Sequence, residues 1–178
     1  KSADLPEVVA LYRAAGLSLG HDLQTLDQAT RISAAPAAVA YLAHNIVFTG
    51  RLAVPVLTMH TTGDGLVVPQ NEQAYRSAVD RAGDGAALQQ IFVHRAGHCA
   101  FTPAETITAV QTLVNRLDTG RWDLSALDPA SLNAQTAALG PRYNIFEVGT
   151  TIKPTAPAFL RYRPTPYLRP FDLAPGGR

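Results

Sequence analysis

At 178 residues the chain fits one domain with an extension, and a hydrophobic content of 47% provides for a core. Lys+Arg 15 against Asp+Glu 14 leaves a net charge of +1, so neither nucleic acid nor an anionic membrane is expected as a partner. No apolar run approaches the ~18 residues of a membrane span. The charged fraction of 16% is low against about 25% in ordinary domains. Either part of the surface is covered by another segment or chain, or the composition is simply biased. Ala is abundant, and Lys1 and Lys153 are the only lysines. The first residues form no basic-then-apolar leader. Lys1 opens within a polar stretch, and the chain reads as a fragment, a processed product or a mature form. Localisation stays open, secretion included.

Taken in chain order, residues 1–50 read as helical. Asp4-Leu5-Pro6-Glu7 has the form of a capping box, Val8, Val9, Leu11 and Tyr12 follow, and Gly16 is a helix stop. Further helices are expected over Leu23–Ile32 and Ala37–Ala43. Residues 51–120 alternate strand and helix. Val54–His60 is a nearly continuous apolar run, the pattern of a strand covered on both faces, with Pro55 at its entry. Gln70–Ala82 reads as a helix stopped by Gly83, and Leu88–Val93 as a second strand. Thr102-Pro103-Ala104-Glu105 is a capping box. The helix it opens has Ile107, Val110, Leu113, Val114 and Leu117 on one face and ends at Gly120. Strand, helix, strand, helix is a parallel α/β unit. Residues 121–178 are rich in proline, most of all from Pro154 to Pro175. Short strands are expected at Asn144–Val148 and Phe159–Tyr162. The segment reads as an extended tail packed on the surface through Phe146, Phe159, Tyr162, Tyr167 and Phe171.

Two ionisable residues lie just past the two strands, where open α/β sheets carry their chemistry. Thr62-Gly63-Asp64-Gly65 follows the first strand and Ala96-Gly97-His98 the second. The separation of 34 residues accommodates a helix of about twelve residues and a strand of about six with short loops, which brings both loops to one sheet edge. Taken alone, Gly-Asp-Gly is also an ordinary turn, and His98 an ordinary helix-flanking histidine. His94 and His98 are four apart but share no helix, so no metal pair and no other cofactor is expected. His60 is expected to be buried and hydrogen-bonded, and His21 and His44 to be surface or packing residues. Cys99 is the sole cysteine, either a packed thiol or the partner of a cysteine in another segment.

The stretch Pro55-Val56-Leu57-Thr58-Met59-His60-Thr61-Thr62-Gly63-Asp64-Gly65-Leu66-Val67-Val68-Pro69 resembles the acid loop of the α/β-hydrolase superfamily. Gly97-His98-Cys99-Ala100-Phe101 resembles its histidine loop. The resemblance covers about Asn45 to Trp122, and secreted esterase- or peptidase-like members are the most similar. It implies the C-terminal part of an α/β-hydrolase sheet, parallel strands with flanking helices, in which His98 is the catalytic base and Asp64 the acid that orients it. Residues 1–50 then resemble a helical cap or lid, 51–120 the C-terminal hydrolase core, and 121–178 a Pro-rich extension.

The nucleophile is the open point. Gly16-Leu17-Ser18-Leu19-Gly20 matches G-x-S-x-G, but the elbow needs a strand before the serine, and Glu7–Ala15 read as helix. The stretch from Ser18 to Asp64 is also short for the elements the fold would place there. The expectation is therefore a serine upstream of Lys1. The chain would be the C-terminal half of a serine hydrolase acting on an ester, thioester or amide of a small molecule or peptide. Its partner would be the N-terminal half of the same polypeptide. Two alternatives stand: a complete small hydrolase using Ser18, and a non-catalytic interaction module that keeps the sheet.

Overall fold

The computed structural model describes residues 5–148 and 150–167. The chain divides into two units, Lys1–Asn45 and Ile46–Arg178. The first holds three helices, α1 Leu5–Ala14, α2 Leu19–Gln28 and α3 Pro36–Asn45, none of which fully buries a residue. Leu11, Leu23, Leu26 and Ile32 are exposed. Gly16 at φ 67° ends the first helix as expected, and Asp4 of the anticipated capping box lies outside the described residues. α2 begins ahead of Leu23 because the Ser18 hydroxyl accepts the His21 amide at 3.2 Å and caps the helix there.

The second unit is a mixed α/β body. Its elements are β1 Val56–Gly63, α4 Gln70–Ala82, β2 Leu88–Ala96, α5 Pro103–Thr119, α6 Pro129–Ala138, β3 Ile145–Val148, β4 Thr151–Pro154 and β5 Phe159–Leu160. A small mixed sheet runs β1-β2-β5, with β1 parallel to β2 and β5 antiparallel to it, and β3-β4 form a separate hairpin. Helix α4 keeps the expected bounds, with Gly83 in the left-handed conformation that ends helices. β1 starts after Pro55, which lacks an N–H for the ladder. Gly50 is buried at φ 80°, and a Cβ there would fall 2.1 Å from the Ala78 carbonyl oxygen, so only glycine fits this approach to α4.

Two expectations are corrected. The face of α5 with Val110, Val114 and Leu117 is exposed, and the buried face carries Ala104, Glu105, Thr108 and Ala109. Small residues let α5 approach its neighbours closely. The Thr108 and Thr136 hydroxyls meet at 2.8 Å between α5 and α6, so the buried side is chosen by fit and hydrogen bonding rather than by apolarity. Second, residues 121–178 are not solely an extended tail. Asp128 accepts the Ala130 amide at 3.0 Å and starts α6 with Pro129 in its first turn, where proline is tolerated, and α6 buries Leu132.

The aromatics of this segment do pack. Phe159, 4% exposed, joins Ile91, Val93, Ala109 and Leu132 in the core. Tyr162 meets Phe92 edge-on with ring centroids 5.3 Å apart, and the Tyr167 hydroxyl donates to Asn71 Oδ1. Phe171 lies outside the described residues. If the segment builds the core in this way, Phe159→Ala lowers unfolding stability by ~3–5 kcal/mol, read from urea denaturation followed by Trp122 fluorescence. A loss below ~1 kcal/mol would return the segment to a surface tail.

Candidate active site

The site grows from the register of two parallel strands. Val56 stands opposite Leu88, and the pairing holds through Thr61 opposite Val93. It then shifts, so that Gly63 pairs with Ala96 and β2 carries an extra residue. Such a bulge bends the strand and re-aims the side chains beyond it. The two carboxyl ends are drawn tightly together. A Cβ on Gly63 would sit 3.0 Å from Ala96 Cα, and the Gly97 amide donates to the Gly63 carbonyl at 3.0 Å. The buried Thr61 hydroxyl donates to the Gly97 carbonyl at 2.6 Å. Gly97 itself takes φ 105°, which favours glycine.

From these ends Asp64 and His98 meet. His98 Nδ1 lies 2.8 Å from Asp64 Oδ2. Asp64 Oδ1 accepts the amides of Leu66 and Val67, each at 2.9 Å. Burial presses the Asp64 carboxyl upward, but the Val67 amide, the His98 ring and the Leu66 amide favour its charged form and hold it at about 2, below the ordinary 3.8. A carboxylate only accepts, so Nδ1 donates the shared proton and Nε2 is left as the ring nitrogen free of Asp64. The Asp64 side chain is 3% exposed and that of His98 44%, so the carboxylate is enclosed while the imidazole is open to solvent.

Nε2 already has a neighbour. Cys99 Sγ lies 3.5 Å from it, which completes a row of thiol, imidazole and carboxylate. Against the expectation of a packed thiol, Cys99 is exposed, and its backbone φ is 51°. That conformation is uncommon for a residue with a Cβ. Adjacency in sequence was the visible signal for this contact; the direction of the side chain was not.

The other candidates are held in local structural roles or are exposed. Ser18 belongs to the first unit, follows helix α1 rather than a strand, and uses its hydroxyl as the α2 cap. His60 is half-buried with Nδ1 2.8 Å from the Thr61 carbonyl, and His21, His44 and His94 are exposed. Among the described residues no group of three His, Cys, Asp or Glu side chains could hold a metal, and no helix is long and apolar enough to cross a membrane. An apolar cleft of ≈ 500 Å³ lined by Phe48, Tyr75 and Ala78 shares no residue with the Asp64 or His98 loops.

Sequence reasoning missed the support of the histidine loop. Arg95, at the end of β2, donates to both carboxylate oxygens of Glu105 on α5, at 2.6 and 3.0 Å. Glu105 is legible as a capping residue, and it does accept the Thr102 amide at 2.8 Å while its own amide donates to the Thr102 hydroxyl at 3.1 Å. Nothing in the sequence marks Arg95 as its ion-pair partner.

The chain is similar to a protein named o-phthalyl amidase from Xanthobacter agilis, 35% identical over 130 residues that cover 71% of this chain and 28% of that protein. The chain thus spans well under a third of that relative's length. No family model matches the chain, and no solved structure matches it significantly.

The depressed Asp64 carboxyl makes the site acid-sensitive. Its folded pKa lies below its unfolded value, so its stabilising contribution is complete above pH 3.8 and is lost as pH falls toward about 2. The stability difference between the wild type and Asp64→Asn, followed by thermal unfolding, is expected to be constant above pH 4 and to shrink below it. A difference that stays flat down to pH 2 contradicts the assigned environment.

Proposed function

We propose that this chain supplies the base and the acid of an amide-cleaving serine hydrolase of the α/β-hydrolase type. The observation that carries the reading is the 2.8 Å contact between His98 Nδ1 and the enclosed Asp64 carboxylate, with Nε2 facing outward. The relative named an amidase supports amide bonds as the target class. On this reading β1 and β2 belong to the C-terminal part of a larger parallel sheet, and the helical residues 1–50 resemble a cap. The nucleophilic serine is carried by a segment outside this chain. Two findings support that placement: Ser18 sits between helices as a cap, and the chain spans 28% of the relative.

The chemistry follows from the proton positions. The serine hydroxyl attacks the amide carbonyl and passes its proton to His98 Nε2. Asp64 keeps the ring in the tautomer that can accept that proton and stabilises the imidazolium. As the C–N bond breaks, His98 delivers the same proton to the leaving nitrogen, and the acyl group stays on the serine. Water then attacks the ester, giving its proton to Nε2, and the serine leaves with a proton returned from His98. Backbone amides beside the nucleophile would hold the oxyanion, so that part of the site also lies outside this chain.

One observation favours a second reading, in which Cys99 takes the nucleophile's place: its Sγ lies 3.5 Å from Nε2, within reach of proton transfer for a sulfur. A fluorophosphonate probe separates the two on the longer polypeptide. Labelling of a serine outside this chain, abolished in His98→Ala, supports the main reading. Absence of serine labelling together with inactivation by Cys99→Ser supports the second. Labelling at Ser18 favours the compact enzyme.

For amide hydrolysis by the longer polypeptide, His98→Ala is expected to lower kcat by at least about 10⁴-fold and Asp64→Asn by about 10⁴-fold. Unchanged turnover in His98→Ala would favour the non-catalytic module over either enzyme.

A further inference from the structure

The loop that carries His98 leaves β2 after Ala96 and enters α5 at Thr102, and its two ends are tied together by a buried ion pair. The side chain of Arg95 is 13% exposed and that of Glu105 is 0% exposed. Arg95 also reaches into the loop, where Nη1 donates to the Ala100 carbonyl at 2.7 Å. Glu105 Oε2 holds the loop's exit through the Thr102 amide at 2.8 Å. The outer side of the pair is closed by the C-terminal extension. The Ala158 amide donates to Glu105 Oε1 at 3.1 Å, the Ala156 carbonyl accepts from Arg95 Nη2 at 3.4 Å, and the Phe146 ring lies 5.4 Å from the guanidinium carbon. The His94 amide donates to the Ala158 carbonyl at 2.7 Å, which fixes the extension to β2 itself.

We propose that Arg95 and Glu105, locked by residues 156–158 of the C-terminal extension, are positioning residues for His98, holding its ring against Asp64. The inference rests on the proposed role of His98 and names the device that sets it.

Two arguments separate positioning from simple stabilisation. A buried ion pair contributes little net stability over an apolar pair of the same volume, because both charges lose their hydration. What a planar guanidinium adds is a fixed fork, which ties Ala100 and both Glu105 oxygens in one geometry. Cys99 provides the second argument. A non-glycine residue at φ 51° persists only where its surroundings hold it there, and it stands directly between His98 and the Arg95-bound Ala100 carbonyl. Without the fork the loop would relax toward ordinary dihedrals and carry the ring off the carboxylate.

The test reads the tautomer of His98 in the full chain by two-bond proton–nitrogen correlation on its imidazole. The bond to Asp64 fixes the proton on Nδ1, whereas an unrestrained ring favours Nε2. Arg95→Lys keeps a cation beside Glu105 but cannot reach Ala100 and both carboxylate oxygens together; Arg95→Met removes the fork at similar length. The wild type is expected to show Nδ1–H. The ratio of Nδ1–H to Nε2–H should fall about threefold or more in Arg95→Lys and about tenfold or more in Arg95→Met, since ring orientation is set by the partner on the other nitrogen. Trp122 fluorescence verifies folding, and where Arg95→Met does not fold, Arg95→Lys decides. A folded Arg95→Lys with a wild-type ratio overturns the positioning role and leaves the hydrolase reading standing. A wild type with the proton on Nε2 overturns both. In the longer polypeptide, a ring misplaced by ~1 Å lowers kcat by about 10²-fold with KM little changed, and Arg95→Lys recovers part of it.

Discussion

Parallel pairing of β1 with β2 is the constraint on which the site depends. Strands that run the same way end at the same edge, so the residue after Gly63 and the residue after Gly97 must be neighbours. The bulge before Gly63–Ala96 then brings the two loops close enough for a hydrogen bond rather than a mere proximity. Reversing either strand, or slipping the register by one residue, would move Asp64 away from the ring or turn it to the other face.

Enclosure of Asp64 has two opposing effects, and their balance sets the chemistry. Loss of water raises the cost of the charged form. Two amides from its own loop and the His98 ring more than offset that cost, and the carboxyl is held at about 2. A carboxylate that stays charged accepts the hydrogen bond from His98 Nδ1 and so orients the imidazole. The same amides fix Leu66 and Val67, so the acid loop is ordered by the group it presents.

The C-terminal extension reaches the site from far along the sequence. Phe159 fills the core between β2 and α6. A residue earlier, the Ala158 amide closes the coordination of Glu105, whose other contacts hold both ends of the histidine loop. Core packing and loop geometry are thus coupled through consecutive residues, and a change that loosens the extension is transmitted to the loop through the Glu105 carboxylate.

The sequence by itself determined what depends on a few consecutive residues. The bounds of α4 between Pro69 and Gly83, the Thr102–Glu105 capping box and the Gly-Asp and Gly-His loops all follow from local dihedral preferences and short-range hydrogen bonds. Tertiary structure decided the rest. On the apolar face of α5, Ile107 and Leu113 are half-buried while Val110, Val114 and Leu117 are exposed, and the fully buried Thr108 answers Thr136 on another helix. α6 lies in a segment whose later prolines favour extended chain. The exposure of Cys99 and the pairing of Arg95 with Glu105 depend on how a loop is tied at both ends. Apart from the Asp128–Pro129 start of α6, none of these has a local signal, because each is an energy shared between atoms brought together only when the chain has folded.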